Sequence, residues 1–456
     1  MTITSTGTIN HYGMIERGYL KKVASHSYHE FGYVTSFIEV TEGHVVIEPK
    51  ASVSIIAVAG NNVSVEQKAG SELFKVAPTK SGISLENVKV LSEKTVVETA
   101  LGNLDTLRYG GGNGEAEGTA FELYTAAHLV AFAKDVNEGK FDSFIYAKLY
   151  ADVDISGMGW EPIGNAAHPF YGSFDGTGKT IKGLTNKGYT PAQVLFGATA
   201  NAKNFGTSYG FFGVVGSKTE TTGAKAIELK NVNFSGVAID TDSANMLGVL
   251  LGADVVAAKD NKGAVNADYA GNVTIENITV AGTIRSTRGA TIGGVVGKLY
   301  TKGDIKVANC TNNCDFDLSN ADNLDIKVGG IIGFLKSDKT DLTIEKCESN
   351  GTITARVAGD GGKNGNIYVG GILSFFNTNY TNQNSKAFNI KECKVTTHIT
   401  IESTNNLVYA GLVYGGTDSQ SKITISGDTT KASCTVNGIS ITAEKCQTAT
   451  DTTKAK

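Results

Sequence analysis

Short runs in which apolar and polar residues alternate fill most of this chain, and glycine, asparagine and serine separate them. Within residues 1–108, two such runs are GHVVIEPKASVSIIAVAG at 43–60 and VKVLSEKTVVETAL at 88–101. Alternation with a period of two, rich in β-branched residues, is typical of half-buried strands. The pattern predicts a small, separate N-terminal β domain over residues 1–108, for example a sandwich.

The next stretch has the composition of a flexible linker and then changes to a helical pattern. Residues 109–118, YGGGNGEAEG, hold five glycines and no bulky aliphatic side chain, as linkers do. Thr119 and Glu122 have the spacing of a capping box. Apolar residues then recur at helical spacing: Leu123, Ala126, Ala127, Leu129, Val130, Ala133 and Val136. A helix is predicted over 120–137, with Gly139 as its C-terminal stop.

Two alternating blocks repeat along the rest of the chain. One pairs glycine with a short aliphatic run: GFFGVVG (210–216), LGVLLG (247–252), IGGVVG (292–297), VGGIIG (328–333), VGGILS (369–374) and AGLVYG (410–415). The other is strand-like, as in IENITVAGTI at 275–284 and IEKCESNGTI at 344–353. Aligning the strand-like blocks places these residues in one column: Leu184, Val232, Ile278, Cys310, Cys347, Cys393 and Cys434.

A period near 40 residues that varies by insertion indicates a solenoid, because a single coil cannot bury its inner face alone. A propeller has a similar period but needs four antiparallel strands in each blade. A column of like residues favours a parallel β-helix, in which equivalent positions stack on successive turns. We therefore predict an all-β protein with a β-helix over 119–446 and a flexible tail over 447–456.

Cysteine usage agrees with a stacked core. Four of the six cysteines, Cys310, Cys347, Cys393 and Cys434, share the column with leucine, valine and isoleucine, which predicts that they are small buried hydrophobes. The CTNNC stretch at 310–314 has no nearby histidine and does not have the spacing of a metal site. The sequence leaves open whether neighbouring turns form disulfides.

Composition and charge exclude several classes of partner. The net charge is −4 and no apolar run approaches the length of a membrane span, so nothing favours nucleic acid binding or membrane insertion. No proline follows Pro191, as expected of continuous sheet. The start, MTITSTG, has neither region of a signal peptide, so we expect either a mature, processed chain or one that is made and assembled inside a cell.

Two glycine-rich motifs invite a catalytic or nucleotide-binding interpretation. FYGSFDGTGKTIKGLT at 170–185 resembles a phosphate loop, but its glycine spacing is one residue too long and a β-branched, alternating segment follows it. We read Asp175 to Gly178 as a tight turn. GTSYG at 206–210 has the form of a nucleophile elbow around Ser208, but no helix pattern follows and the only later histidine is His398.

Two further groups of polar residues could form sites. Asp152 and Asp154 could ligate calcium, although a spacing of two on a strand also fits two outward side chains. Histidines and tyrosines alternate near the N-terminus and could form a polar and aromatic contact surface: His11, Tyr12, Tyr19, His26, Tyr28, His29, Tyr33 and His44. Their spacing matches no standard metal site. We therefore assign no catalytic, cofactor-binding or metal-binding residue.

The segment after the predicted helix resembles the GLUG-motif repeat proteins of bacterial surfaces, which include adhesin-like members. The matching residues are Trp160, Pro162, Ile163, Gly164, Phe174, Asp175, Gly176 and Gly178. The resemblance covers about 119–446. It implies a right-handed parallel β-helix whose first turn is covered by the helix at 120–137. Residues 1–108 match no pattern of this family.

These features together predict a non-enzymatic structural or adhesive protein with an N-terminal anchor and a projecting β-helix. The expected setting is a virion surface, as in a bacteriophage head fibre, decoration or tail protein, where assembly in a reducing cytoplasm suits buried thiols. A bacterial cell-surface adhesin is the alternative, and a polysaccharide-degrading β-helix enzyme is a third class. Expected partners are other structural proteins, further copies of the chain in a homotrimer, or a cell-surface glycan or protein receptor.

Overall fold

Parallel β-sheets make up most of the protein and belong to two units. Unit 1 comprises Met1–Asp135, Ile145–Gly159 and Gly188–Asn201, and unit 2 comprises Val136–Phe144, Trp160–Lys187 and Ala202–Lys456. This computed structural model describes residues 2–3, 8–21, 27–91, 95–97, 99–104, 107–187, 208–217, 225–242, 246–254, 271–288, 290–301, 303–320, 325–337, 342–357, 366–378, 388–403, 408–417, 423–427, 429–430, 432–441 and 447–449. The prediction of an all-β protein is confirmed.

Unit 1 contains two five-stranded sheets, and consecutive strands alternate between them. Sheet A consists of Thr2–Ile3, Met14–Leu20, Tyr33–Val40, Ser52–Val58 and Glu72–Pro78. Sheet B consists of Ile9–His11, Ser27–Glu30, Gly43–Ile47, Val63–Gln67 and Val88–Lys89. Three further short strands of unit 1 are Phe121–Leu123, Ile145–Leu149 and Val153–Asp154.

The strands of sheets A and B are parallel, whereas the strands of ordinary β-sandwiches are antiparallel. Val34 pairs with Val53, and Val53 pairs with Leu73. These residues are fully or largely buried in one apolar cluster with Val45 and Ile47 of sheet B. Two neighbouring parallel strands must be joined by a crossover connection. Here the connection between two strands of one sheet contains a strand of the other sheet. The pattern of apolar residues in sheets A and B therefore repeats after every two strands, one from each sheet.

The glycine-rich stretch 109–118 forms ordered turns and lies inside unit 1. Gly110 N donates to Glu122 O at 2.9 Å, and Gly114 N donates to Thr119 O at 2.8 Å. A 3-10 turn occupies Glu117–Thr119. Glu122 lies in the strand Phe121–Leu123, whose two apolar ends are buried. The predicted capping box between Thr119 and Glu122 therefore does not start the helix.

The α-helix of the described residues is Ala126–Asn137, so it begins six residues later than predicted. Thr125 Oγ1 accepts a hydrogen bond from His128 N at 3.2 Å and acts as the N-cap residue. The C-terminal stop is confirmed, because Gly139 has φ 72° and its N–H bonds to Val136 O. No helix in the described part of the chain is long and apolar enough to cross a membrane.

The half-buried carboxylate of Glu72 holds the start of this helix. Glu72 Oε2 accepts hydrogen bonds from Ala126 N at 2.8 Å and from Ser52 Oγ at 2.8 Å. Ser52 Oγ in turn accepts from Ala127 N at 2.9 Å. The free N–H groups at a helix start favour such acceptors. Burial raises the pKa of Glu72, while these hydrogen bonds oppose that rise.

The helix also carries a histidine that should make unit 1 sensitive to acid. His128 is fully buried, and burial followed by the charge of Lys75 lowers its pKa to about 3. Its Nδ1 accepts from Tyr124 N at 3.1 Å. Because the pKa is lower in the folded chain than the ordinary 6.5, the unfolded chain takes up the proton first as the pH falls. The stabilising contribution is complete above pH 6.5 and is lost towards pH 3.

We expect the helix of the wild-type protein to lose about 2–3 kcal/mol of protection between pH 7 and pH 4.5 through this residue. Hydrogen exchange of peptides from 124–137, measured in increasing urea at both pH values, gives this quantity. His128→Gln, which keeps an acceptor for Tyr124 N, should remove most of the pH dependence. An equal loss in the variant would show that other groups cause the acid sensitivity.

Unit 2 contains three sheets, which we call the long, second and third sheets. The long sheet includes Gly172–Lys182, Ile227–Thr241, Val273–Ser286, Ile305–Ala308, Thr311–Asn320, Leu342–Glu345, Glu348–Ser349, Thr352–Val357, Phe388–Lys391, Lys394–Val395, His398–Ser403, Ile423–Ser426, Thr429–Thr430, Ser433–Val436 and Ile439–Ile441. The second contains Ser208–Tyr209, Met246–Gly248, Thr291–Gly293, Ile326–Gly329, Ile367–Gly370, Val408–Gly411 and Gln447–Ala449. The third contains Phe212–Val215, Leu251–Asp254, Val296–Thr301, Ile332–Ser337, Leu373–Thr378 and Tyr414–Thr417.

Each repeat passes through the three sheets in the same order. Val273–Ser286 of the long sheet is followed by Thr291–Gly293 of the second and Val296–Thr301 of the third. The next pass starts with Ile305, which pairs in parallel with Val273. Equivalent residues of successive repeats therefore lie beside each other in every sheet.

Repeat length varies mainly in the connections between sheets. Among the described residues, the third-sheet strand that ends at Asp254 is followed by the long-sheet strand that begins at Val273. The equivalent strands one repeat later end at Thr301 and begin at Ile305. A change in connection length leaves the strand register intact, so the period can vary without disturbing the core.

The glycine blocks form the corner between the second and third sheets. One glycine of each block stacks on the next: Gly248, Gly293, Gly329, Gly370 and Gly411. A Cβ atom on Gly293 would lie 1.9 Å from Val296 O, and one on Gly329 would lie 1.9 Å from Ile332 O. The chain turns so sharply that the backbone fills the space of a side chain. The repeated glycine is therefore a requirement of this corner.

The cysteine column exists, but with two fewer members than predicted. Thr279 pairs with Thr311 and Thr311 with Glu348, so Ile278, Cys310 and Cys347 stack at the preceding position. The register places Val232 and Cys393 in the same column. Leu184 and Cys434 lie elsewhere: Val232 pairs with Lys179, and Cys434 with Ile399. Bulges and a short final repeat shift the register at both ends of the alignment.

The described cysteines are free thiols inside unit 2. Cys310, Cys347 and Cys393 are 0% exposed and Cys434 is 2% exposed, which confirms the prediction of burial for these four; Cys314 is also 0% exposed. Burial raises the pKa of Cys314 and of Cys434 to about 12. A thiol with so high a pKa stays protonated and is a poor nucleophile. Cys446 lies outside the described residues.

Candidate functional site

The phosphate-loop-like stretch is part of a strand. Gly172–Lys182 belongs to the long sheet, and its register shifts between Asp175 and Lys179. Thr177 has φ 49° and Gly178 has φ 77°, and Asp175 Oδ1 accepts from Thr177 N at 2.8 Å. The predicted tight turn is confirmed, in the form of a bulge. The helix start that would hold a phosphate is replaced by continuing strand.

Ser208 does not sit on a nucleophile elbow. Its strand, Ser208–Tyr209, is followed by the strand Phe212–Val215, whereas the elbow needs a helix. Ser208 is 6% exposed, and its hydroxyl has no hydrogen-bond partner among the described residues. His398 lies in the long sheet with its Nδ1 2.8 Å from Ser433 Oγ. The serine and the histidine of the motif are therefore not brought together as a catalytic pair.

Asp152 and Asp154 lie at a turn of unit 1. Asp154 Oδ1 accepts a hydrogen bond from Ser156 N at 2.9 Å and so forms an Asx turn. One carboxylate oxygen of Asp154 is therefore bonded to the backbone. Within the ranges that the structure describes, no group of three or more histidine, cysteine, aspartate or glutamate side chains is arranged to hold a metal ion. The described surroundings of Asp152 and Asp154 therefore do not support the hypothesis that these residues ligate calcium.

Part of the N-terminal histidine and tyrosine group does assemble, on sheet B. His11 Nδ1 lies 2.9 Å from Glu30 Oε1, and buried Glu30 also accepts from Tyr28 OH at 2.7 Å. His29 Nδ1 lies 2.6 Å from Glu48 Oε1. His11 thus pairs with a glutamate on the neighbouring strand, and His29 pairs with the glutamate that directly follows the strand Gly43–Ile47. These pairs tie successive strands of the sheet together.

An aromatic stack adjoins these pairs. Tyr12 stacks on Phe31 with ring centroids 4.6 Å apart, and His29 follows Phe31 at 6.4 Å. Tyr12 is 40% exposed, whereas Tyr28 is buried in the core at 1%. Of the predicted group, His11, Tyr12 and His29 share this surface. Tyr19 and Tyr33 lie on sheet A, His44 bonds Ser64, and His26 lies outside the described residues.

A second aromatic group, which the sequence did not predict, lines the second and third sheets of unit 2. Two columns of in-register residues form what we call the aromatic-lysine surface: Lys298, Phe334 and Phe375 on the third sheet, and Lys327, Tyr368 and Tyr409 on the second. The rings are half-buried and alternate along their strands with core residues. They therefore point away from the core.

The rings of this surface stack along and across the repeats. Tyr368 and Tyr409 are 4.7 Å apart at 10°, and Phe334 and Phe375 are 5.8 Å apart at 10°. Tyr368 meets Phe375 edge to face at 4.6 Å, because the glycine corner brings these two residues of one repeat together. Offset and edge contacts of this kind are favourable geometries for aromatic rings. The four rings form one continuous patch across the corner.

Lysine ammonium groups lie over the first ring of each column. Lys298 Nζ is 5.4 Å from the Phe334 centroid, and Lys327 Nζ is 5.3 Å from the Tyr368 centroid. Both distances are in the range of cation-π attraction. Lys327 also pairs with Asp325 at 2.8 Å. Lys298 is 8% exposed and the Lys327 side chain is 17% exposed, so both lysines lie largely beneath the protein surface beside the rings.

The outward face of the long sheet is different, because ion pairs cover it. Arg285 and Arg356 both pair with Asp317, at 3.4 Å and 3.2 Å. Arg356 also lies 3.5 Å from Glu402. These side chains are about half exposed, as expected of a solvated face. This face of the long sheet is therefore charged, whereas the stacked rings of the aromatic-lysine surface lie on the second and third sheets.

Comparison with known proteins shows a likeness of fold to a solved structure. No model of a known protein family matches it, and no curated protein matches it either. Among solved structures, it is similar to the crystal structure of a candidate immunoglobulin A1 protease from Bacteroides ovatus. The two are 21% identical with a TM-score of 0.50, and the match covers 74% of this chain and 82% of the other. At this identity the likeness concerns the fold alone.

Proposed function

We propose that this chain is a non-enzymatic adhesive protein whose unit 2 is a right-handed parallel β-helix of the GLUG-repeat kind, with the helix as its cap and unit 1 as the anchoring part. The recurring order of the three sheets and the stacked corner glycines support a β-helix. The buried motif residues Trp160, Ile163 and Phe174 support the family assignment.

The aromatic-lysine surface is the observation that carries the adhesive function. Outward aromatic rings on a solenoid face are costly to leave in water, and a contiguous patch of them typically marks a contact site. The long sheet shows that the same repeats readily form a charged outer face. The other two sheets instead carry aromatic rings at four in-register positions. We therefore take these rings as the mark of a binding surface.

Binding of the purified full chain to surfaces coated with polysaccharides or with proteins tests this proposal. We expect the variant Tyr368→Leu/Phe375→Leu to bind the preferred surface about tenfold more weakly than the wild type, because two rings at the centre of the patch are removed. Leucine keeps the inner parts of these positions apolar. Lys306→Gln, on the charged face, is the matched control and should bind normally.

Retained binding by the double variant would place the contact elsewhere and remove the basis of the proposal. Unfolding curves of all variants are needed alongside, so that a loss of binding is compared between equally folded proteins. Hydrolysis of the bound polysaccharide, seen as new reducing ends, would instead support the enzyme class.

We further propose that the protein is displayed on a virion, with a bacterial cell surface as the alternative. The buried free thiols of unit 2 suit assembly in a reducing cytoplasm. Mass spectrometry of separately purified virions and cell envelopes distinguishes the two settings. Peptides from both units in virions support the first setting, and their presence in envelopes alone supports the second.

A further inference from the structure

Two strands reverse direction at the last edges of the long and second sheets. Ile439–Ile441 runs antiparallel to Ser433–Val436 in the long sheet, and Gln447–Ala449 runs antiparallel to Val408–Gly411 in the second. The strands before them pair in parallel, as His398–Ser403 does with Ser433–Val436. We propose that the two reversed strands, which we call the C-terminal cap, keep these edges from pairing with a second copy of the chain.

The edges beneath the C-terminal cap are templates for another strand. The outer N–H and C=O groups of the last parallel strand in a sheet have no further repeat to bind. Without the reversed strands, Ser433–Val436 and Val408–Gly411 would be such edges. The same edge of a second copy is self-complementary, because a twofold axis places the two edges antiparallel. Chains with an open cap are therefore expected to join as dimers.

The hairpin of the C-terminal cap has a specific turn. Asn-Gly is the pair that two-residue hairpins prefer, because both residues of a type I′ turn have positive φ. Asn437 has φ 47° and Gly438 has φ 79°. The Asn437 amide also binds the preceding repeat, since its Oδ1 accepts from Ser403 N and its Nδ2 donates to Ser403 O, both at 2.9 Å. Asn437 N donates to Ile401 O at 2.8 Å. The reversal is thus fixed to the strand His398–Ser403.

The hairpin leaves a poor edge in place of the one that it covers. Ile439–Ile441 has only three residues, and short edge strands are one means by which proteins prevent pairing. Ile441 lies opposite Cys434 and is 9% exposed, so the strand also covers the apolar end of the core. Ile439 is 50% exposed, but a single exposed apolar side chain is normal on a protein surface.

The test opens the hairpin in the full chain and measures the mass of the assembly by sedimentation equilibrium. Asn437→Pro removes the N–H that binds Ile401 O, and proline cannot adopt φ 47°. We expect the variant to form an assembly of twice the wild-type mass, in a fraction that rises with protein concentration. Asn437→Gly is the matched control and should retain the wild-type mass, because glycine keeps both the turn and the N–H.

A further variant locates the contact. Asn437→Pro/Thr435→Lys adds a charge to the strand Ser433–Val436, and the twofold axis places it near the same charge of the second copy. Like charges across paired strands oppose pairing, so the wild-type mass should return. A chain shortened after Val436, which lacks both reversed strands, should behave as Asn437→Pro does.

The measured masses decide the inference. The wild-type mass for Asn437→Pro and for the shortened chain, with urea unfolding curves that show both to be folded, overturns the C-terminal cap. A doubled mass that Thr435→Lys leaves unchanged places the contact elsewhere and overturns pairing at this edge. A doubled mass in Asn437→Gly as well overturns the role of the turn. Should the shortened chain fail to fold, Asn437→Pro alone decides, because it keeps the full chain.

Discussion

Gly329→Ala is expected to lower the free energy of unfolding of unit 2 by more than about 4 kcal/mol. This loss is most of the stability of the unit. An added Cβ atom would lie 1.9 Å from Ile332 O and 2.8 Å from Ser374 N, and both are backbone atoms. Relief requires the corner to open, and the same corner is stacked on Gly293 and Gly370 in the neighbouring repeats. One methyl group would therefore disturb three successive repeats.

The single tryptophan of the chain makes this effect measurable, because Trp160 is buried in unit 2. Urea unfolding followed by tryptophan fluorescence should show a midpoint far below that of the wild type, or no folded baseline. Gly271→Ala is the matched control, since a Cβ atom there meets nothing within 4 Å. Overlapping curves for Gly329→Ala and the wild type would contradict the tight corner.

Trp160→Ala is expected to destabilise unit 2 by about 3–5 kcal/mol. Trp160 is 1% exposed and stacks on Phe211 with centroids 5.1 Å apart at 11°. Its Nε1 donates to Phe211 O at 3.0 Å. The substitution leaves a cavity beside Phe211 and a buried carbonyl without this donor.

Urea unfolding followed by circular dichroism measures this loss, because the variant has no tryptophan. Trp160→Phe should lie between the wild type and the alanine variant, since it keeps a ring but not the N–H donor. A loss of less than about 1 kcal/mol for Trp160→Ala would show that the motif around Trp160 does not support the core.

The repeats of unit 2 could be predicted because each repeat solves the same packing problem. Each repeat needs glycine at the corner and an apolar or thiol side chain in the core. These residue types therefore recur in the sequence at equivalent positions. The end members of the column were wrong because register depends on bulges, such as the one between Asp175 and Lys179. Residue counting does not detect a bulge.

Two features of unit 1 could not be predicted for related reasons. Its parallel strands recur at a short spacing, as from Val34 to Val53 and Leu73, but equivalent positions hold different apolar residues and the repeat has no fixed glycine. The helix start was misplaced because Phe121 and Leu123 fit helical spacing and strand alternation equally. The cap comes from Glu72 and Ser52, which are distant in sequence.

The aromatic-lysine surface was missed because its residues flank the glycine blocks and belong to no single run. Tyr368 and Phe375 are brought together by a corner that lies between them, and Tyr409 reaches Tyr368 only through the register of the next repeat. The sequence did carry a signal, an aromatic residue immediately before or after several glycine blocks. Its meaning depends on knowing where the chain turns.

Hydroxyl-radical footprinting of the full chain, with and without the polysaccharide or protein that it binds in the coated-surface assay, tests the central claim most directly, because half-buried aromatic rings are oxidised in proportion to their exposure. The account predicts protection of Tyr368, Phe375 and Tyr409, with exposed Tyr12 of unit 1 unchanged. Protection of Tyr12 while these three rings stay equally reactive would contradict it.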